Sequence, residues 1–263
     1  MLSEWQSKAV YLSPRNKRDD LHGLVCHSYI KRENKRNNNY SKFQVPDLSC
    51  EDSEHDPREL LCSTVRDARA DEKQSYLVIP TESSSQWLES IGLSPELLDC
   101  GEQLKKTARR IPGVHTPYLY ISARRGSNSP LHVEDAFLGS INIVLAGAPK
   151  VWLMVEPRYR EKLELKARQY LREEEEGDDR IPCSQSIRHL SDLLSPELLD
   201  SWEIPYRIVP CNAGEMIVTF SETYHQVVNA GPNLAMAINF AADRDWKGPP
   251  KNYRFCKTKC TSF

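Results

Sequence analysis

The pattern of hydrophobic and polar positions changes its period several times along this chain. From Asp56 to Ala70, apolar residues recur at helical spacing behind an early proline, which predicts a helix. Gln74 to Pro80 is a short apolar run and predicts a strand. Residues 83–110 favour one or two helices, with Ser94 at a helix start. Beyond its polar beginning, the first part of the chain is therefore predicted to be largely helical.

Strand patterns dominate the second half of the chain. Apolar or alternating runs occupy residues 116–124, 141–147, 148–157, 206–220, 223–231 and 234–243. Helices are predicted between them, at residues 156–176 and 183–204. Many short strands joined by Gly, Asn and Pro turns, with helices around them, indicate a mainly β fold with flanking helices (α+β) and a jelly-roll or cupin barrel as its core.

Composition separates the first 60 residues from the rest of the chain. Residues 1–60 are polar, charged and weakly periodic, so we expect a disordered or loosely packed extension there. Basic clusters at residues 15–18 and 31–36 fit a nuclear-import signal or a contact with DNA phosphate, and more simply a solvated flexible arm. Residues 61–263 contain most of the apolar segments and are predicted to form the folded domain.

Charge and hydropathy narrow the possible partners. The net charge is −2, so nothing indicates sequence-specific binding of nucleic acid. There is no run of 18 apolar residues and no apolar signal-peptide core at the start, so we expect no membrane partner. The eight cysteines are then expected to stay reduced in an intracellular protein.

A candidate metal site lies in the strand-rich half. His132 and Glu134 stand two residues apart, so their side chains point to the same side of a strand. His225 follows about ninety residues later, and we expect it on a strand facing the first. Two imidazoles and one carboxylate are the ligands of iron(II) in non-haem oxygenases. Taken alone, the pair is more simply a surface histidine beside a surface glutamate.

Lys150 favours the metal interpretation. It lies in an apolar strand pair, where an unpaired ammonium group would be costly. A lysine that points into a barrel is explained if it meets a carboxylate, and 2-oxoglutarate supplies one.

Four blocks in this order, TPYLYI, HVEDXXLXSIN, LXGXPKXW and GEXXXTFXXXYH, resemble the Jumonji-C (JmjC) domain. Within that family they are most similar to the histone lysine demethylases that act on trimethylated lysine. The resemblance covers roughly residues 105–260. It implies a double-stranded β-helix that uses iron(II) and 2-oxoglutarate.

The resemblance also implies roles for particular residues. Iron would be bound by His132, Glu134 and His225. The 2-oxoglutarate pocket would be formed by Asn142, Lys150, Trp152 and Thr219, with Tyr76 as the candidate for the family's tyrosine on the distal carboxylate. The methyl-lysine substrate would meet Gly113, Tyr118, Tyr120 and Asn239.

A second metal site is predicted in the C-terminal part of this domain, between residues 183 and 260. Cys183, His189, Cys256 and Cys260 make a possible Cys₃His zinc site, although residues so far apart could also be unrelated. The resemblance favours zinc. The family has Cys-X-Cys at the last pair, whereas here Cys260 lies farther from Cys256.

The implied activity is that of a nuclear histone lysine demethylase. It would oxidise N-methyl groups on a histone tail in chromatin, with histone H3 as the expected histone, and release formaldehyde, succinate and carbon dioxide. Two alternatives stay open: a JmjC protein hydroxylase, and a catalytically inactive JmjC module that binds chromatin. The intact ligand set argues against the inactive module.

Overall fold

The computed structural model of the chain describes residues 20–28, 39–44, 46–48, 56–67, 74–81, 89, 94, 98–107, 110–174, 187 and 193–241. The strands in these ranges are β1 (Asp20–Ser28), β2 (Asn39–Gln44), β3 (Gln74–Pro80), β4 (Tyr118–Ser122), β5 (Asn128–His132), β6 (Gly139–Gly147), β7 (Lys150–Val155), β8 (Tyr206–Cys211), β9 (Met216–Thr219), β10 (Tyr224–Asn229) and β11 (Asn233–Phe240). The α-helices are α1 (Pro57–Arg66), α2 (Glu102–Lys105), α3 (Arg160–Glu174) and α4 (Pro196–Ser201).

The described strands form two antiparallel sheets. One has the order β2-β1-β3-β4-β11-β6-β9 and the other the order β5-β10-β7-β8. Neighbouring strands are often far apart in sequence, as expected when a chain winds back and forth between two sheets. The mainly β fold with flanking helices is confirmed, and its two sheets fit a jelly-roll core.

Helices α1, α3 and α4 cover one face of the four-stranded sheet. A hydrophobic core lies between these helices and the sheet, and alternate residues of β7 contribute to it from the sheet. The helices contribute leucines that are almost completely buried, among them Leu60, Leu163 and Leu199. The same alternation turns the other residues of β7 and β10 toward the opposite face of the sheet, where the candidate site lies.

Local sequence explains where the shorter helices begin. In α1 the Asp56 carboxylate accepts a hydrogen bond from the Arg58 N–H, and Pro57 occupies the first turn. In α4 the Ser195 hydroxyl accepts from the Leu198 N–H. No helix among the described residues is both long enough and apolar enough to cross a membrane.

The structure differs from the predicted elements in several places, and β5 (Asn128–His132) lies in none of the predicted strand runs. Strands β1 and β2 lie inside the expected disordered extension. There β1 pairs with β3, and β2 pairs with β1, so backbone hydrogen bonds form that the hydrophobic pattern does not predict. Residues 206–220, predicted as one strand, form two strands around a turn at Gly214, whose φ is +84°. The described helix within 183–204 is limited to α4. The boundary at residue 60 stays a prediction and falls inside α1.

Candidate metal centre

Three potential metal ligands meet on the four-stranded sheet. His132 is the last residue of β5, and Glu134 follows in extended backbone just beyond it. His225, on β10, lies directly opposite His132 in the antiparallel pair. The ligand atoms of the three residues all lie within 4.8 Å of one another. The third ligand was expected from a facing strand. It comes instead from the adjacent strand, because paired residues on neighbouring strands project from the same face.

Backbone carbonyls orient the two imidazoles. Nδ1 of His132 donates to the Pro130 oxygen at 2.7 Å, and Nδ1 of His225 donates to the Thr223 oxygen at 3.0 Å. In both rings the other nitrogen, Nε2, then faces Glu134. These Nε2 atoms lie 4.0 Å and 3.4 Å from Glu134 Oε1. Two imidazole nitrogens and one carboxylate oxygen on one side of a metal fit iron(II).

Glu134 is held as a carboxylate. Burial alone would raise its pKa, but His225, His132 and Asn239 outweigh burial and lower the pKa of Glu134 to about 2. The Asn239 amide donates to Glu134 Oε2 at 2.7 Å. This contact fixes one carboxylate oxygen and leaves the other facing the histidines.

A strained turn follows Glu134. Ala136 and Phe137 have φ values of 54° and 53°, in the left-handed region that non-glycine residues rarely adopt. The Ser221 hydroxyl donates to the Phe137 carbonyl at 2.6 Å, and the Arg160 guanidinium lies 4.4 Å from the Phe137 ring centroid. These contacts stabilise the turn that places Glu134.

The three ligands line a cavity of about 390 Å³. Lys150 and Trp152 reach the same cavity, while Val151 and Leu153 between and beyond them pack toward the helices. The Lys150 Nζ donates to Asn229 Oδ1 at 2.8 Å. Burial lowers the pKa of Lys150 to about 8. Lys150 is therefore a buried cation near neutral pH whose partner is uncharged, and it suits an anionic ligand.

Two buried polar atoms in this cavity have no hydrogen-bond partner within the described part of the chain. They are Asn142 Oδ1 and Trp152 Nε1. The Trp152 ring lies 5.4 Å from that of His225, with 31° between the planes. Unpaired buried polar atoms are costly, and both of these belong to side chains that line the cavity. With Lys150 nearby, the cavity fits a keto acid such as 2-oxoglutarate.

Aromatic side chains from β3 and β4 also line the cavity: Tyr76, Tyr118 and Tyr120. The Tyr120 ring centroid lies 6.3 Å from that of Tyr76 and 6.4 Å from that of Tyr118, the latter edge-on. Gly113 has a φ of +82°, and a Cβ there would lie 2.4 Å from the Tyr118 ring. These four residues and Asn239 surround the same cavity as the metal ligands.

Some predicted site residues lie elsewhere. Thr219 was expected to line the pocket, but it is not among the lining residues. Register places it opposite Ser140, and its hydroxyl lies 2.8 Å from that of Ser140, which does line the cavity. The four predicted zinc ligands, Cys183, His189, Cys256 and Cys260, fall outside the described residues.

Sequence reasoning missed Asn229, the partner of Lys150. The available signal was a polar residue directly after the two valines of HQVVN, which is weaker than the lysine among apolar residues that singled out Lys150. The family resemblance placed Asn239 beside the substrate only, whereas in the structure its amide donates a hydrogen bond to Glu134.

Comparison with known proteins finds a family model and several relatives that this chain resembles. Residues 118–240 match the family model described as "JmjC domain, hydroxylase". The chain is 38% identical over 163 residues to "Probable lysine-specific demethylase 4F" of Homo sapiens, covering 62% of this chain and 24% of that protein. It is 40% identical over 134 residues to "Lysine-specific demethylase 4D" of Rattus norvegicus, covering 51% and 25%. It is 34% identical over 177 residues to "Lysine-specific demethylase 4B" of Mus musculus, covering 67% and 15%. The matched regions are thus a quarter or less of each relative's length.

Proposed function

Because this chain carries a JmjC domain over residues 118–240, we propose that it is a histone lysine demethylase dependent on iron(II) and 2-oxoglutarate. A JmjC hydroxylase domain implies these two groups, and His132, Glu134 and His225 could hold the metal. The lysine-specific demethylases that the chain resembles suggest the substrate class.

One observation carries this proposal: the ligand triad and a buried lysine share one cavity. A metal site alone would fit many functions. Lys150 adds a cation inside the same cavity, with an uncharged hydrogen-bond partner. A metal-chelating acid whose far end carries a second carboxylate would satisfy both features.

The chain's own residues would bind and orient the reactants. Lys150 would pair with the distal carboxylate of 2-oxoglutarate, with Tyr76 and Asn142 beside it. Trp152, with its buried ring, would help to exclude water. With iron(II) bound, 2-oxoglutarate and dioxygen supply the oxidation: one oxygen atom goes to succinate as carbon dioxide leaves, and the other goes to the N-methyl carbon. The resulting N-hydroxymethyl group would lose its hydroxyl proton to solvent as its C–N bond breaks, with the electron pair staying on nitrogen and formaldehyde leaving.

The methylated lysine would enter past the aromatic residues. Tyr118 and Tyr120 present ring edges and faces that suit a methylated ammonium group. Gly113 leaves room beside Tyr118 that a larger residue would fill. Asn239 would help to form this shell while it orients Glu134.

Further proposals follow from the same resemblance. Cys183, His189, Cys256 and Cys260 would bind a structural zinc ion. The substrate would be a methylated histone tail, with histone H3 as the first candidate, and the protein would then act on chromatin in the nucleus. The JmjC domain would extend over residues 61–263.

Product mass tests the proposal. The full chain, loaded with iron(II), is incubated with 2-oxoglutarate and trimethylated histone peptides. Loss of one methylene mass per turnover supports demethylation. Gain of one oxygen atom would identify a hydroxylase instead. Peptide binding without either product would identify an inactive module.

Matched variants tie that result to the site. His132→Ala is expected to abolish turnover, because it removes a metal ligand. Glu161→Ala, at an exposed position of α3, is the control and should leave turnover unchanged. Turnover that persists in His132→Ala would refute the metal assignment.

A further inference from the structure

We propose that Asn229 is a positioning residue for co-substrate binding. It would hold the Lys150 ammonium in the cavity while leaving its charge available to the distal carboxylate of 2-oxoglutarate. This inference rests on the proposed function. It concerns a residue that neither the sequence motifs nor the metal triad include.

The geometry of the pair is set by strand register. Asn229 ends β10 and lies directly opposite Lys150, the first residue of β7. Lys150 Nζ donates to Asn229 Oδ1 at 2.8 Å. Lys150 is 6% exposed and Asn229 4% exposed, so bulk water competes little for this hydrogen bond.

The Asn229 amide is itself held in one orientation. Its Nδ2 donates to the backbone oxygen of Ser127 at 2.8 Å and to the Ser127 hydroxyl at 3.0 Å. Asn233 Nδ2 donates to Asn229 Oδ1 at 2.9 Å. If the amide were reversed, NH₂ would face the lysine and Asn233 donors, and a carbonyl would face the Ser127 carbonyl. Oδ1 is therefore kept toward Lys150.

A neutral acceptor suits this position better than a carboxylate would. An ammonium group has three donors, and an amide oxygen occupies one without cancelling the charge. On the opposite side of β7, Cys211 pairs with Lys150. Burial raises the pKa of the Cys211 thiol to about 11, so that neighbour is uncharged as well. Lys150 thus keeps its charge for a ligand that enters the cavity.

Direct binding measurements test this role without turnover. The full chain is loaded with nickel(II) in place of iron(II), and 2-oxoglutarate is titrated by calorimetry. Asn229→Ala is expected to weaken binding about tenfold, the effect of losing one hydrogen bond to a charged group. Asn229→Asp should weaken binding at least as much, because its carboxylate would pair with the ammonium. Asn128→Ala is the matched control: Asn128 is equally buried, but its amide donates to the Gly126 backbone oxygen. It should change binding less than about twofold.

A double-mutant cycle separates positioning from a general structural effect. In a Lys150→Ala background, Asn229→Ala should cause no further loss of 2-oxoglutarate affinity, because there is no ammonium left to position. An equal loss in both backgrounds would overturn the inference, since it would show general damage to the site. Wild-type affinity in Asn229→Ala would also overturn the inference. If Lys150→Ala still weakened 2-oxoglutarate binding in that case, the proposed function would stand. Failure of the wild-type protein to bind 2-oxoglutarate would overturn both.

Discussion

Asn239 offers a test of whether the structure or the family resemblance better describes its role. The resemblance places Asn239 beside the methylated substrate. In the structure its Nδ2 donates to Glu134 Oε2 at 2.7 Å and to the Gly139 oxygen at 3.3 Å. A residue that orients a metal-binding carboxylate should affect metal affinity before any substrate is present.

The expected effect of Asn239→Ala follows from this contact. A short hydrogen bond to an ionised carboxylate contributes about 1.5–3 kcal/mol. Each 1.4 kcal/mol is roughly a tenfold change in affinity, so metal binding should weaken about ten- to a hundredfold. Without the amide, Glu134 would be free to rotate away from His132 and His225.

The assay is competition for nickel(II) or cobalt(II) with a chelator, without 2-oxoglutarate or peptide. Asn142→Ala provides the contrast, because Asn142 lines the cavity but lies outside the ligand triad. It should spare metal affinity and weaken 2-oxoglutarate binding. If Asn239→Ala binds metal within about twofold of wild type while demethylation falls, the residue acts on substrate alone and our assignment is refuted.

Three other predictions concern charge, backbone and core. The difference in free energy of unfolding between Lys150→Met and wild type should shift by about 3 kcal/mol in favour of wild type between pH 8 and 10.5. Burial lowers the pKa of Lys150 from 10.5 to about 8. The cost of burying the charged ammonium group in wild type therefore disappears as this lysine deprotonates in the folded state. A pH-independent difference in urea unfolding would contradict this. Gly113→Ala should lower the melting temperature more than Gly126→Ala. Both glycines have positive φ, but a Cβ at Gly113 would lie 2.4 Å from the Tyr118 ring, whereas a Cβ at Gly126 would have no neighbour closer than 4.0 Å. Leu153→Ala, at a fully buried position, should lower the free energy of unfolding by about 2–5 kcal/mol, whereas Leu165→Ala, at a 57% exposed position, should change it by less than about 0.5 kcal/mol.

Strand β7, which carries Lys150 and Trp152, was predictable because its pattern is local. Alternation in β7 places Lys150 and Trp152 on one face, as it would in any half-buried strand. The two strands β1 and β2 were missed, because β1 pairs with distant β3 and β2 pairs with β1, and a hydrophobic pattern within a short window does not record such pairing.

The site was predictable to the extent that chemistry shows in residue type. A histidine and a glutamate two residues apart, and a lysine among apolar residues, each stand out in the sequence. The hydrogen-bond partners of these residues cannot be recognised in the sequence. The contact of Lys150 with Asn229 joins residues 79 positions apart, and that of Asn239 with Glu134 joins residues 105 apart. Such pairs depend on register, which only the assembled sheets provide.

The direct pairing of His132 with His225 on β5 and β10 has a consequence for how this chain tolerates changes in length. The distance between these ligands depends on one ladder position and not on the number of residues between them. Insertions in the connections that follow β7 or α3 would leave the ligands in place. Removal of a single residue within β10 ahead of His225 would present a neighbouring side chain to the metal and turn the imidazole to the other face. Homologous domains can therefore be expected to vary in loop length while their ligand-bearing strands keep theirs.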